Sequence, residues 1–203
     1  MANTSKQCGL RPLYPVIRAN VYKCETSLAH YMYDPVTLNA GGFVQGCQHN
    51  TASGATPILG SIIGFLTGNF GPISYAYSGY VPANPAADQV DSNGYTRALV
   101  ADSPDQLFVI EEDTGGTALT QAAVGLGGAF TIQGATTGNT ISGVGNTVLD
   151  RSLTGTAPTS DLALQLIKLW DKPDNDYGNY AKWVVRIYGH QYAPGAGDGS
   201  GLV

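Results

Sequence analysis

The sequence is short of charge. Lys, Arg, Asp and Glu supply 12% of its 203 residues, about half the share of an ordinary soluble domain. Exposed positions must then be filled largely by Ser, Thr, Asn, Gln and Gly. The resulting neutral, hydrogen-bonding surface has little self-repulsion and suits packing against other protein. The net charge is −5 and the pI near 4.9, with no run of Lys and Arg. That excludes the clustered cations that neutralise phosphates and argues against a nucleic-acid partner. Long apolar runs are missing as well. The best, residues 57–66 (PILGSIIGFL), falls short of the roughly 18 to 20 residues of a membrane helix and is broken by Gly60 and Gly64, so no membrane partner is expected. Residues 1–8 lack the apolar stretch of a signal peptide, which predicts synthesis in a cytoplasm. Cysteine is scarce too: Cys8, Cys24 and Cys47 are odd in number and widely spaced. This argues against a disulfide framework and for reduced thiols. The chain is long enough to bury a core without one.

The motifs of common chemistry are also missing. Cys8, Cys24, His30, Cys47 and His49 could ligate zinc, yet none forms the local Cys-x-x-Cys or His-x-x-x-His pair that structural zinc sites use. Cys47-Gln48-His49 could place a thiol and an imidazole on one strand face, but nothing supplies the third, orienting group of a nucleophilic site. No Gly-x-Ser-x-Gly elbow, phosphate-binding loop or dinucleotide fingerprint occurs, and Gly125-Leu126-Gly127-Gly128 reads as a turn. Glu111-Glu112-Asp113 could pair carboxylates across a sugar, but neighbours on a strand point to opposite faces. The cluster reads as solvated residues at a strand end. Asp171, Asp174 and Asp176 lack the Gly and closing Glu of a calcium loop. The residues thus predict no catalytic group, no metal and no cofactor.

What is abundant is glycine (27), tyrosine (12) and proline (11). Gly and Pro recur too often for long helices, and the apolar runs between them are short and rich in Val, Ile, Tyr and Phe, which is strand composition. Strands are predicted over 16–24, 31–38, 42–48, 58–67, 95–101, 106–112, 161–170 and 182–190. Within the second, Asp34-Pro35-Val36-Thr37 opens a short strand after a turn, and Asn93-Gly94 is the strongest hairpin-turn signal. Residues 114–159 should be turns and short edge strands, with a helical turn near 118–123. In the last strand Trp183, Val185 and Ile187 share one face, expected to pack on Leu164, Leu166 and Phe108; Lys182, Val184, Arg186 and Tyr188 share the other.

The fold class is therefore mainly β: a compact barrel- or sandwich-like body over 16–193. An extended N-terminal arm (1–15) precedes it and a flexible Gly-rich tail (194–203) follows. The body could divide into β subdomains at about 16–70 and 95–193, joined by a Tyr/Pro-rich loop, 71–94. In the arm, Pro12 and Pro15 block helix and ladder alike. Leu10, Leu13 and Tyr14 have no local core to join, so the arm should order by lying across a neighbouring subunit. With Arg11 they are candidate partner contacts. Tyr75, Tyr77 and Tyr80 are further candidates, because tyrosine buries apolar area while keeping a polar handle.

The order of segments resembles the auxiliary head proteins of tailed phages, called decoration or cement proteins. The resemblance is carried by Met1-Ala2-Asn3 leading to Gly9-Leu10-Arg11-Pro12, by Asp34-Pro35-Val36 and by Gly60-Ser61-Ile62-Ile63-Gly64-Phe65. It continues through residues 100–113 (VADSPDQLFVIEED), Ala122-Ala123-Val124-Gly125-Leu126 and Leu149-Asp150, then Leu164-Gln165-Leu166, Pro173-Asp174-Asn175 and residues 179–187 (NYAKWVVRI). It implies a β-rich, non-enzymatic protein on the outside of an assembled shell. Its partner would be the major capsid protein, whose subunits it would clamp against the pressure of packaged DNA. Family habit and low charge together suggest a homotrimer. The three cysteines and the segment 71–94 depart from the pattern. A different class of function, a tail-fibre or adhesin-like module binding carbohydrate through exposed tyrosines, fits the same composition.

Overall fold

The computed structural model describes residues 3–6, 8–47, 57–66, 79–87, 89–132, 137–155 and 162–193. Of the sequence expectations, Tyr75, Tyr77, His49 and the tail 194–203 lie outside the described residues, as does the greater part of the loop before residue 79. The chain is mainly β, 41% strand and 4% helix, with sheets curled into a half-barrel. Its strands are β1 (Arg11–Pro12), β2 (Ala19–Lys23), β3 (His30–Tyr31), β4 (Pro35–Leu38), β5 (Val44–Gly46), β6 (Gly60–Leu66), β7 (Tyr80–Val81), β8 (Arg97–Ala101), β9 (Leu107–Glu111), β10 (Gly127–Ile132), β11 (Thr147–Asp150), β12 (Leu164–Leu169) and β13 (Lys182–Ile187). They form a six-stranded sheet ordered β1-β9-β13-β12-β10-β11, a five-stranded sheet ordered β2-β8-β6-β4-β5 and the small pair β3-β7.

The alternation of β13 sets the main core. Trp183, Val185 and Ile187 point inward with Phe108, Ile110, Leu164 and Leu166, as their period of two predicts. Ala101 and Ile58 join this cluster, so it lies between the two large sheets. A second cluster, built on Val36, Ile62, Phe65 and Val100, covers the other side of the five-stranded sheet. Close contact between β6 and β8 depends on Gly60, where a Cβ would sit 2.0 Å from the Ala101 carbonyl oxygen. Asp102, just past β8, fixes the outer strand: Arg18 Nε just before β2 (2.9 Å), and Asn20 Nδ2 (2.8 Å) and the Tyr22 hydroxyl on it, all donate to its carboxylate.

Four expectations are corrected. β8 lies between β2 and β6, so the boundary between 16–70 and 95–193 does not separate the sheets: β8 completes the sheet of the first stretch, and Cys47 and Ile58 join the main cluster of the second. β10, within the Gly- and Thr-rich stretch, is no edge strand but is paired on both sides, by β11 and β12. Asn93-Gly94 makes a turn closed by Gly94 N–H to the Asp91 carbonyl (2.8 Å), which leads into β8 and joins no two strands. Above all, Leu10 does have a local core: it is fully buried in the main cluster, its N–H donates to the Tyr33 carbonyl (2.8 Å) and its carbonyl accepts from Ser61 Oγ (2.6 Å). The next two residues pair with Val109 and Phe108 of β9. Gln106 then clamps the chain beyond, donating to the Leu13 carbonyl (2.7 Å) and accepting from the Ile17 N–H (2.9 Å). The segment is part of the body because the six-stranded sheet offers it an edge.

Two substitutions test this packing. Trp183→Ala should cost about 3 to 5 kcal/mol and Leu10→Ala about 2 to 5 kcal/mol in urea melts, as large-to-small core changes. A Leu10→Ala protein as stable as its parent would place residues 8–12 outside the core.

Candidate functional site

Glu111 ends β9, Glu112 follows it in the same extended run, and both are fully buried, which corrects the reading of a solvated acidic cluster. Being adjacent on a strand they face opposite ways, and each finds its own partners. Glu111 lies on the outer face, where Lys182 Nζ approaches to 3.4 Å and the chain's beginning folds over it. Ser5 Oγ (2.9 Å) and the Lys6 N–H (2.9 Å) both donate to its carboxylate. Further back, Asn3 donates to the Asp176 (2.7 Å) and Asn179 (3.1 Å) carbonyls. Residues 3–6, with 8 and 9, thus form a strap across the outer face of their own sheet, not a free arm, and beside them Val109 and Val184 of that face are buried. Glu112 faces inward. The Trp183 indole N–H donates to it at 2.9 Å and Arg151 lies at 3.3 Å. Buried Arg151 also donates to the Gly115 carbonyl (2.9 Å) and to Asn179 Oδ1 (3.0 Å). A buried charge is tolerated only when paired in this way.

Between the strap, the exposed turn after β12 and the loop around Tyr33 runs a groove of about 670 Å³, within the range of roughly 300 to 1,000 Å³ typical of ligand sites. Its walls hold Lys6, Arg11, Lys172 and Lys182, four of the ten Lys and Arg residues in the chain, against one acid, Asp174. Lys182 is neutralised by Glu111. Among the described residues, Lys6, Arg11 and Lys172 are in no salt bridge. Tyr14, Tyr33 and Trp170 give the groove aromatic surface; Tyr14 is 79% exposed, and the Lys172 ammonium lies 5.2 Å from the Trp170 ring centroid, in cation–π range. A chain of net charge −5 therefore concentrates unpaired positive charge in one place.

Of the candidate contacts, the structure brings Arg11, Leu13 and Tyr14 together on this groove and removes Leu10 to the core. Tyr80 is elsewhere, stacked on Tyr31 with ring centroids 5.0 Å apart in the β3-β7 pair. Lys6, Tyr33, Trp170, Lys172 and Lys182 went unrecognised in the sequence. They come from stretches far apart in the chain, and only the order β1-β9-β13 makes them neighbours. No local spacing records that.

The other reactive groups have quieter roles. The three cysteines are free thiols. Burial, followed by the nearby Glu111 charge, pushes the Cys8 thiol at the groove wall up to about 11, so its nucleophilic thiolate is scarce at neutral pH. Burial alone pushes Cys47 up to about 12. His30 is buried, its Nε2 2.7 Å from the Glu25 carbonyl; a carbonyl only accepts, so Nε2 carries the proton. Buried His190 accepts from the Tyr192 N–H at Nδ1 (3.0 Å). Burial lowers the pKa of both rings, which keeps them neutral. Among the described residues no three His, Cys, Asp or Glu side chains gather as metal ligands. Comparison of the chain with protein-family models, with curated proteins and with solved structures finds no match.

Burial pushes the Glu112 carboxyl from its ordinary 4.5 up to about 7, against the pull of the Trp183 indole and the Arg151 guanidinium. The folded protein thus keeps a proton that the unfolded chain releases. Stability from this group is fully present below pH 4.5 and is lost as the pH rises through about 7. Burial raises Asp113 as well, with the same sign. Glu112→Gln keeps an oxygen to accept from Trp183 but cannot titrate. Urea melts across that window should show the variant losing less stability with rising pH than the parent. Parallel curves would assign the dependence to other groups.

Proposed function

We propose that this chain is a structural decoration, or cement, protein of a tailed-phage head. It would bind the outer surface of the shell and stabilise contacts between major capsid subunits, without an enzymatic step and without a cofactor. The observation that carries the reading is the convergence of two stretches of the resemblance: Arg11-Pro12 and Asp174, some 160 residues apart in the chain, line the same groove. Two separated stretches of that segment order thus come to lie beside one groove, which supports reading the groove as a docking surface. The charge-poor composition supports it, since a surface largely of hydroxyls and amides packs against protein while desolvating few ions. The paired Glu111 and Glu112 support it too, by fixing the strap and the β13 strand under that surface.

Partners in this reading are the major capsid protein and further copies of the chain. A homotrimer over local three-fold positions would present the same groove to three neighbours and multiply weak contacts into tight binding. Neither nucleic acid nor membrane is a partner.

Electron microscopy of heads assembled with and without the protein tests this. Extra density on the outer surface, repeated with the lattice symmetry, is expected only when the protein is present, and decorated heads should retain their DNA to higher temperature. Solution mass should correspond to three chains. Heads that look identical in both preparations would end the reading.

A further inference from the structure

Resting on the decoration reading, we infer that the groove between the strap and the Trp170 turn seats an extended acidic segment of the capsid partner, held through its side chains. Charge selects the occupant. Lys6, Arg11 and Lys172 have no salt-bridge partner among the described residues and face a single acid, Asp174, while the chain as a whole carries −5. An acidic segment is therefore repelled by the molecule at large and attracted at this place, which sets orientation as well as contact. Arg11 is exposed and lines the groove, and can take a carboxylate in its two-pronged fork. Tyr14, Tyr33 and Trp170 offer flat apolar surface to residues alternating with the acids.

The sheet edge beside the groove limits how the segment binds. Leu13 points its N–H inward to the Leu107 carbonyl, and the Leu10 N–H is taken by Tyr33. Pro12, whose backbone faces outward between them, has no N–H to give. An incoming strand finds no donor there, so recognition falls to side chains and not to added main-chain pairing.

The test uses the full chain and a fluorescein-labelled octapeptide alternating aspartate and leucine, read by fluorescence anisotropy. Binding is expected, weakening as salt shortens the reach of the charges. The Arg11→Glu, Lys172→Glu double variant should bind about tenfold more weakly or worse, a loss of roughly 1.4 kcal/mol. Lys23→Glu, the same charge change on exposed β2, should bind as the parent does. Should the double variant melt early, Lys172→Gln carries the same comparison with a smaller loss. Equal affinity of parent and groove variants would overturn the inference, and so would a heparin tetrasaccharide that binds while the peptide does not, since the groove would then be a glycan site. Head occupancy separates the two proposals. A double variant that loses the peptide and falls off heads supports both. One that loses the peptide yet decorates heads normally overturns the acidic-segment inference and leaves the decoration reading standing. A parent chain that never decorates heads removes that reading, and the capsid as the source of the segment with it.

Discussion

Two consecutive buried carboxylates dictate much of this molecule. Glu111 and Glu112 cannot lie in a low-dielectric interior without donors around them, and alternation along β9 forbids them from sharing one set. Each must recruit from its own side of the sheet. On the outside, Glu111 takes Ser5, the Lys6 N–H and Lys182, fixing where the beginning of the chain runs. On the inside, Glu112 takes the Trp183 indole and Arg151, fixing the central strand and the turn after β11. One dipeptide thereby ties together the start, the middle and the last strand of the chain.

The groove is a by-product of that tie. Because the strap is drawn over the outer face by Glu111, it stands as a wall beside β9 and β13, with the Trp170 turn opposite. The same carboxylate neutralises Lys182, the innermost of the cations, and leaves the three nearer the rim available. Structure and surface chemistry are not separable here: the group that holds the wall in place also decides which charges remain unpaired.

Much of the fold is legible in the sequence, for a simple reason. Period-two patterns such as Trp183-Val184-Val185-Arg186-Ile187 report directly which residues face the core, and all three inward residues lie there. Pro35 after Asp34 opens β4 as its restricted φ requires. The failures share a different cause. Glu111-Glu112-Asp113 reads as solvated because its partners are distant, Ser5 by 106 residues and Trp183 by 71. Leu10 reads as homeless for the same reason, since the Ser61 and Tyr33 groups that hold it are invisible to a local window. Interleaving of β8 between β2 and β6 likewise leaves no trace in composition. Of the groove's lining residues only Arg11, Leu13 and Tyr14 could be singled out as partner contacts, because they sit together in a proline-bounded stretch. The remainder exist as a site only once the strands are ordered.

The two-residue edge strand has a bearing on solubility. Open sheet edges template growth into fibres, and most proteins discourage it with charge. This chain has little charge to spend, and if it works at the crowded surface of a shell its copies meet at high local concentration. Pro12 offers a substitute. With no outward N–H between Leu10 and Leu13, the β1 edge of the large sheet presents no donor row for another copy to extend, so a charge-poor molecule is denied the chance to polymerise along that side.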